Sequence, residues 1–236
     1  MNQASINQHQ LIEHILCSAG GVLVEAAVPV DYTGKRADIL FEADNLIAEI
    51  KSLTSDRGND PQVATKLGDV FLQNANLGGP IPFGEMTVRL HDLPTLLAER
   101  SLRVVGKRVR AEVASAAKQV QATRDVLQIP DAFGLVVFIG PPNRIGHDSM
   151  AWLINDVVSK SEDRHGLDGA LVIETSLGLA AESSSASNSF SVFFSISGRT
   201  LPDGFGERIA NAWECTTGQR ACPTEREMFT ALGASE

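Results

Sequence analysis

Between residues 5 and 53 the apolar positions change period three times, and each change marks an element. Leu11, Ile12, Ile15 and Leu16 recur at helical spacing within residues 5–18, and Gly20-Gly21 ends the pattern, so the first element is a helix. Residues 22–30 form a nearly continuous apolar run, broken by Glu25, which predicts a central strand covered on both faces. Two further apolar runs, residues 37–43 and 46–53, flank Asp44-Asn45, a pair that tolerates the backbone of a tight turn. They predict a β-hairpin. With a two-residue loop, partner numbers sum to 89, so Leu40 faces Glu49 and Asp38 faces Lys51. Period-two alternation then puts Asp38, Glu49 and Lys51 on one face, with Ile39, Phe41, Ala43, Leu46, Ala48 and Ile50 on the other.

The remaining pattern alternates helices and strands. A polar turn over 54–60 leads to a helix over 61–76, carrying Val63, Leu67, Val70 and Phe71 on one side. A Gly/Pro loop over 77–84, a short alternating run (Met86, Val88, Leu90) and a helix from Pro94 follow. A long helix runs to about residue 127 on a stripe of Val109, Val113, Ala116, Val120 and Leu127, and Pro130 stops it. Arg108, Ser115 and Gln119 share one flank of that stripe. Buried strands are expected over 133–139, 170–174 and 190–196, and helices over 148–161 and 204–216, with a serine-rich loop over 182–189. The order begins αβββαβ. The whole reads as one α/β domain over residues 1–236.

Hydrophobic residues make up 43% and charged residues 21%, ordinary for a globular chain. No apolar run is long enough to span a membrane and the N-terminus has no signal-peptide pattern, so a cytoplasmic protein without a membrane partner is expected. Cys17, Cys215 and Cys222 form no Cys-x-x-Cys pair, which argues against a disulfide framework or structural zinc. The five histidines are scattered, and phosphate-loop, dinucleotide-binding and Gly-x-Ser-x-Gly motifs are missing. Net charge is −9, against a protein that coats nucleic acid, yet Arg100, Arg103, Lys107, Arg108 and Arg110 form a basic run without an acid, a candidate nucleic-acid-binding segment.

Two carboxylates facing one another repel unless a proton or a cation lies between them, and hard oxygen donors favour magnesium. A magnesium ion held by Asp38 and Glu49 would lower the pKa of a bound water, and Lys51 could orient that water, which makes phosphodiester hydrolysis the reaction class. The bland alternative is a surface hairpin with an Asp38–Lys51 ion pair, worth about 1 kcal/mol at most when exposed.

Asp38, ten intervening residues, then Glu49-Ile50-Lys51 resembles the signature of the restriction-endonuclease-like PD-(D/E)xK nuclease superfamily, with Ala37 where the signature has proline. The resemblance implies a restriction-endonuclease-like αβββαβ core with a mixed central sheet and helices on both faces; residues 54–102 depart from the minimal pattern and read as an insertion beside the active face, and 141–236 read as a C-terminal extension. It implies Asp38 and Glu49 as metal ligands, Ile50 as a carbonyl ligand, Lys51 as the catalytic lysine and Gln119 as the polar residue of the second helix. Glu13 and Glu25 are rival candidates for a third acid. The implied activity is that of a magnesium-dependent nuclease, with manganese as substitute cation and DNA as the usual substrate in the family. A homodimer is implied where both strands are cut. The rival function is a non-catalytic relative that binds nucleic acid or a protein partner.

Overall fold

The computed structural model describes residues 8–53, 61–83, 88–140, 147–160, 166–174 and 189–226. Helices α1 (Gln8–Ser18), α2 (Val24–Ala27), α3 (Pro61–Gln73), α4 (Thr95–Val105), α5 (Lys107–Leu127), α6 (His147–Val158) and α7 (Phe205–Thr217) surround one sheet. Its strands are β1 (Val22–Leu23), β2 (Ile39–Phe41), β3 (Leu46–Ser52), β4 (Phe133–Gly140), β5 (Gly169–Glu174), β6 (Ser189–Ser195) and β7 (Ala221–Arg226). They lie side by side in sequence order. β1 to β3 are antiparallel, β3, β4 and β5 are parallel, β6 runs antiparallel to β5, and β7 runs parallel to β6. The fold is therefore α/β around a mixed sheet.

The sheet separates two cores because its central strands are apolar on both sides. On one face Leu40, Ile47, Val136 and Phe138 pack against Val109, Val113, Ala116 and Val120 of α5 and against Met150, Leu153 and Ile154 of α6. On the other, Ile39, Phe41, Leu46, Ala48, Ile50 and Val137 meet Ile12, Ile15 and Leu16 of α1 and Phe205, Ile209 and Trp213 of α7. The alternation expected for the hairpin is thus observed, except that Ala43 lies exposed in the turn. Among the described residues no helix is long and apolar enough to cross a membrane.

Two expectations are corrected and one strand is added. The hairpin register sums to 87, pairing Leu40 with Ile47 and Phe41 with Leu46, because the loop has four residues. Asp44 N donates to Phe41 O and Asn45 N to Glu42 O, and Asn45 takes the left-handed conformation at φ 47°. The slip from 89 is even, so the parity of the faces survives, and Asp38, just before β2, donates its amide to Ala48 O instead of pairing with Lys51. The run over 22–30 is no central strand: Val22 and Leu23 form the edge strand, the chain then turns helically, and Val30 is fully exposed. An apolar run broken by a carboxylate fits a half-buried helical turn as well as a buried strand. Finally, β7 adds an edge strand the pattern did not reveal. Pro223 lies inside it, which an edge strand tolerates because one row of its amides needs no ladder partner.

In the insertion, α3 ends at Gln73 and Leu90 begins a single 3-10 turn, so residues 88–102 hold no strand; the expected run from Met86 starts outside the described residues. The serine-rich tract falls outside them except for Ser189. The chain breaks between α4 and α5 at Gly106, where a Cβ would meet the Leu153 methyls at 2.3 and 2.4 Å.

Candidate active site

Strand β3 carries the centre of the site. Glu49 and Lys51, two apart, project towards α5, while Ile50 between them enters the opposite core. Glu49 is 2% exposed. Its Oε1 accepts a hydrogen bond from Lys51 Nζ at 2.8 Å, and its Oε2 is buried without a hydrogen-bond partner. Asp38 Oδ2 accepts from the Ile50 amide at 2.7 Å, which fixes the carboxylate at the end of β2. Burial first, then the Asp38 charge, push the Glu49 carboxyl up from 4.5 to about 8, against the opposing bond and charge of Lys51. The pair holds a proton where a cation could stand.

Helix α5 forms the second wall. Lys51 Nζ donates to Gln119 Oε1 at 2.8 Å, and Gln119 is itself fixed from two sides, by Ser115 Oγ donating at 3.0 Å and by its own Nε2 donating to Arg36 O at 3.0 Å. The flank that carries Ser115 and Gln119 also carries Glu112, whose Oε2 lies 3.7 Å from Lys51 Nζ, and Arg108, whose guanidinium donates to Ser52 O at 3.3 Å. Asp38, Glu49, Lys51 and Gln119 are therefore brought together.

Helix α1 reaches the site through a residue not singled out in the sequence. His9 Nε2 lies 4.0 Å from Asp38 Oδ1 and 3.9 Å from Glu13 Oε2. The i, i+4 spacing of His9 and Glu13 was the available signal, as was the place of Glu112 one turn after Arg108. Glu13 thus borders the carboxylate pair across His9, whereas Glu25 is 78% exposed and pairs with Arg36 at 3.4 Å. Of the two rival acids, Glu13 is the nearer in this linkage. Ile50 meets Asp38 through its amide.

The basic run is divided by its partners. Arg103 and Arg110 converge on Asp156 of α6, at 3.0 and 3.2 Å, and Arg103 also lies over the Trp152 ring at 5.0 Å. Burial raises the Asp156 pKa, but bonds from Arg103 and Lys160 outweigh it and leave the carboxyl below its ordinary value. Arg100 bonds Asn74 Oδ1, and Lys107 is exposed at the start of α5. Arg108 is the member of the run that contacts β3.

A divalent cation fits the donor set in one respect and lacks support in another. Asp38 Oδ1 and Glu49 Oε2 are each left over after the carboxylates' stronger bonds, and the Asp38 charge raises the proton affinity of Glu49, as in a cation-binding pair. Yet among the described residues no three His, Cys, Asp or Glu side chains gather as a metal-ligand group. Two carboxylates with water would suffice for magnesium, which keeps several waters, but not for a closed zinc site. No family model matches the chain, and no curated protein or solved structure is significantly similar to it.

Proposed function

We propose that the chain is a divalent-metal-dependent nuclease with a restriction-endonuclease-like core, hydrolysing phosphodiester bonds, with DNA as the substrate favoured by the resemblance. The observation that carries this reading is the buried Glu49 carboxyl beside Asp38, with one oxygen unpartnered and Lys51 bonded to the other. A surface ion pair would not bury an acid beside a second acid, because desolvation and repulsion both oppose it. The core assignment draws support from the order of α1, three antiparallel strands, α5 and the parallel β4.

Asp38 and Glu49 would hold magnesium or manganese, which when bound polarises a phosphodiester oxygen and acidifies a water. Lys51 supplies a positive charge beside the reacting phosphorus and a donor for the attacking oxygen. Gln119, anchored by Ser115 and Arg36, fixes the direction of the Lys51 ammonium. Cutting a duplex on both strands would call for two copies of the site, hence a homodimer.

A second reading, a non-catalytic domain that binds a partner, is favoured by the net charge of −9 and by the pairing of Arg103 and Arg110 with Asp156. Incubation with linear and circular DNA and with RNA, in magnesium or manganese and then in chelator, separates the two. Cleavage that stops on chelation supports the nuclease. Intact substrates under every condition support the binding domain.

A further inference from the structure

We propose that Lys51 and Arg108 form a two-cation subsite for a backbone phosphate, and that Glu112 fills it with its own carboxylate in the ligand-free chain. The class of ligand rests on the reading above. The subsite itself rests on geometry.

Glu112 places Oε2 3.7 Å from Lys51 Nζ and Oε1 3.7 Å from Arg108 Nε, so one carboxylate spans two cations. Both distances exceed hydrogen-bond length, and the carboxylate is held by charge more than by directed bonds. Its side chain is 28% exposed against 3% for Glu49, so it can swing into water without opening the core. Arg108 is fixed in place independently, because its guanidinium donates to Ser52 O, the carbonyl that follows Lys51 in β3. A phosphate offers the same charge with more acceptor oxygens, and a guanidinium matches it in two-pronged fashion. Arg103 and Arg110 offer no such exchange. They are bound to a carboxylate that is 4% exposed.

An exchange of this kind has a sign that a merely structural role for Glu112 would not produce. Binding is read by anisotropy of a short labelled DNA duplex and of a single-stranded RNA, in chelator, over a series of salt concentrations. Glu112→Gln keeps the shape and removes the competing charge, so at low salt it should bind about five-fold more tightly, the factor set by one unit charge at about 4 Å in water. Arg108→Ala should bind more weakly, with a salt slope lower by about one. The double variant should keep only part of the gain, since Arg108 is gone and Lys51 alone remains to profit. Glu112→Ala, which also drops the charge, stands in should the Gln variant fail to fold. Equal or weaker binding by both Glu112 variants, an unchanged slope for Arg108→Ala, or no binding by any form would overturn the subsite. Chelator prevents metal-dependent cleavage, so this result stands or falls apart from the nuclease reading.

Discussion

Replacing Glu49 by Gln should stabilise the metal-free protein at alkaline pH while abolishing its response to metal. The folded chain holds the Glu49 proton up to about pH 8, whereas an unfolded glutamate releases it near 4.5. Below pH 4.5 both states are protonated and the group contributes nothing. Between 4.5 and 8 the folded state binds more protons than the unfolded, so stability falls as pH rises, and above 8 the cost is complete. At about 1.4 kcal/mol for each tenfold change in proton affinity, the full cost is on the order of 5 kcal/mol. Gln119 and Glu112 still face Lys51 in the variant, so its ammonium is not stranded. For a chain of this size 1 kcal/mol moves the melting temperature by roughly 2–4 °C, so the variant should melt on the order of 10 °C higher at pH 8.5 and level with wild type near pH 4.5. Calorimetric melts across this range, in chelator, measure the difference. Adding magnesium at pH 8.5 should then raise the wild type and leave the variant where it was. A difference that stays constant with pH, or a variant that melts lower at pH 8.5, would refute a proton-holding Glu49.

Other parts of the structure give further expectations. Lys51→Ala should lose cleavage yet keep or enlarge the metal-induced melting shift, because it removes a cation that competes for Glu49; loss of the shift would make Lys51 a structural prop. Asp156→Ala removes the shared partner of Arg103 and Arg110, both about a third exposed, and should cost about 2 kcal/mol by urea unfolding, whereas a cost under about 0.5 kcal/mol would mean water already screens the cluster. Gly134→Ala would drive a Cβ to 2.1 Å from Gly166 O and 2.9 Å from Val120 Cγ1. A loss of about 2 kcal/mol in the same assay is expected, and wild-type stability would show that β4 and α5 can part there.

The elements that sequence revealed are those whose burial repeats with a clean period. Val109, Val113, Ala116 and Val120 mark α5 because one stripe faces the sheet, and the β3 side chains alternate because one core takes Ala48 and Ile50 while the other takes Ile47. Parity also made the site legible. Asp38, Glu49 and Lys51 share a face under any register whose partner numbers sum to an odd value, 87 as well as 89, so the wrong loop length did no damage to the constellation. What stayed hidden depends on tertiary partners. Asp44 reads as a turn residue but is held by Arg208 of α7, 164 residues away, which favours the wider loop. Residues 22–30 read as a central strand because apolarity alone does not say whether a neighbour strand covers both sides. His9 and Glu112 carry no such mark in the sequence, because each sits on a helix face whose relation to β2 or β3 only the packing decides.

Divalent-cation binding by the Asp38–Glu49 pair is the property on which a nuclease activity would depend. Calorimetric titration of manganese into the wild type and into Asp38→Asn, with folding checked by circular dichroism, asks this most directly. Saturable binding by the wild type, with protons released at neutral pH as Glu49 ionises and with both signals lost in the variant, is the predicted result. No binding by the wild type at millimolar manganese, or equal binding by Asp38→Asn, would contradict the metal centre and the nuclease reading built on it.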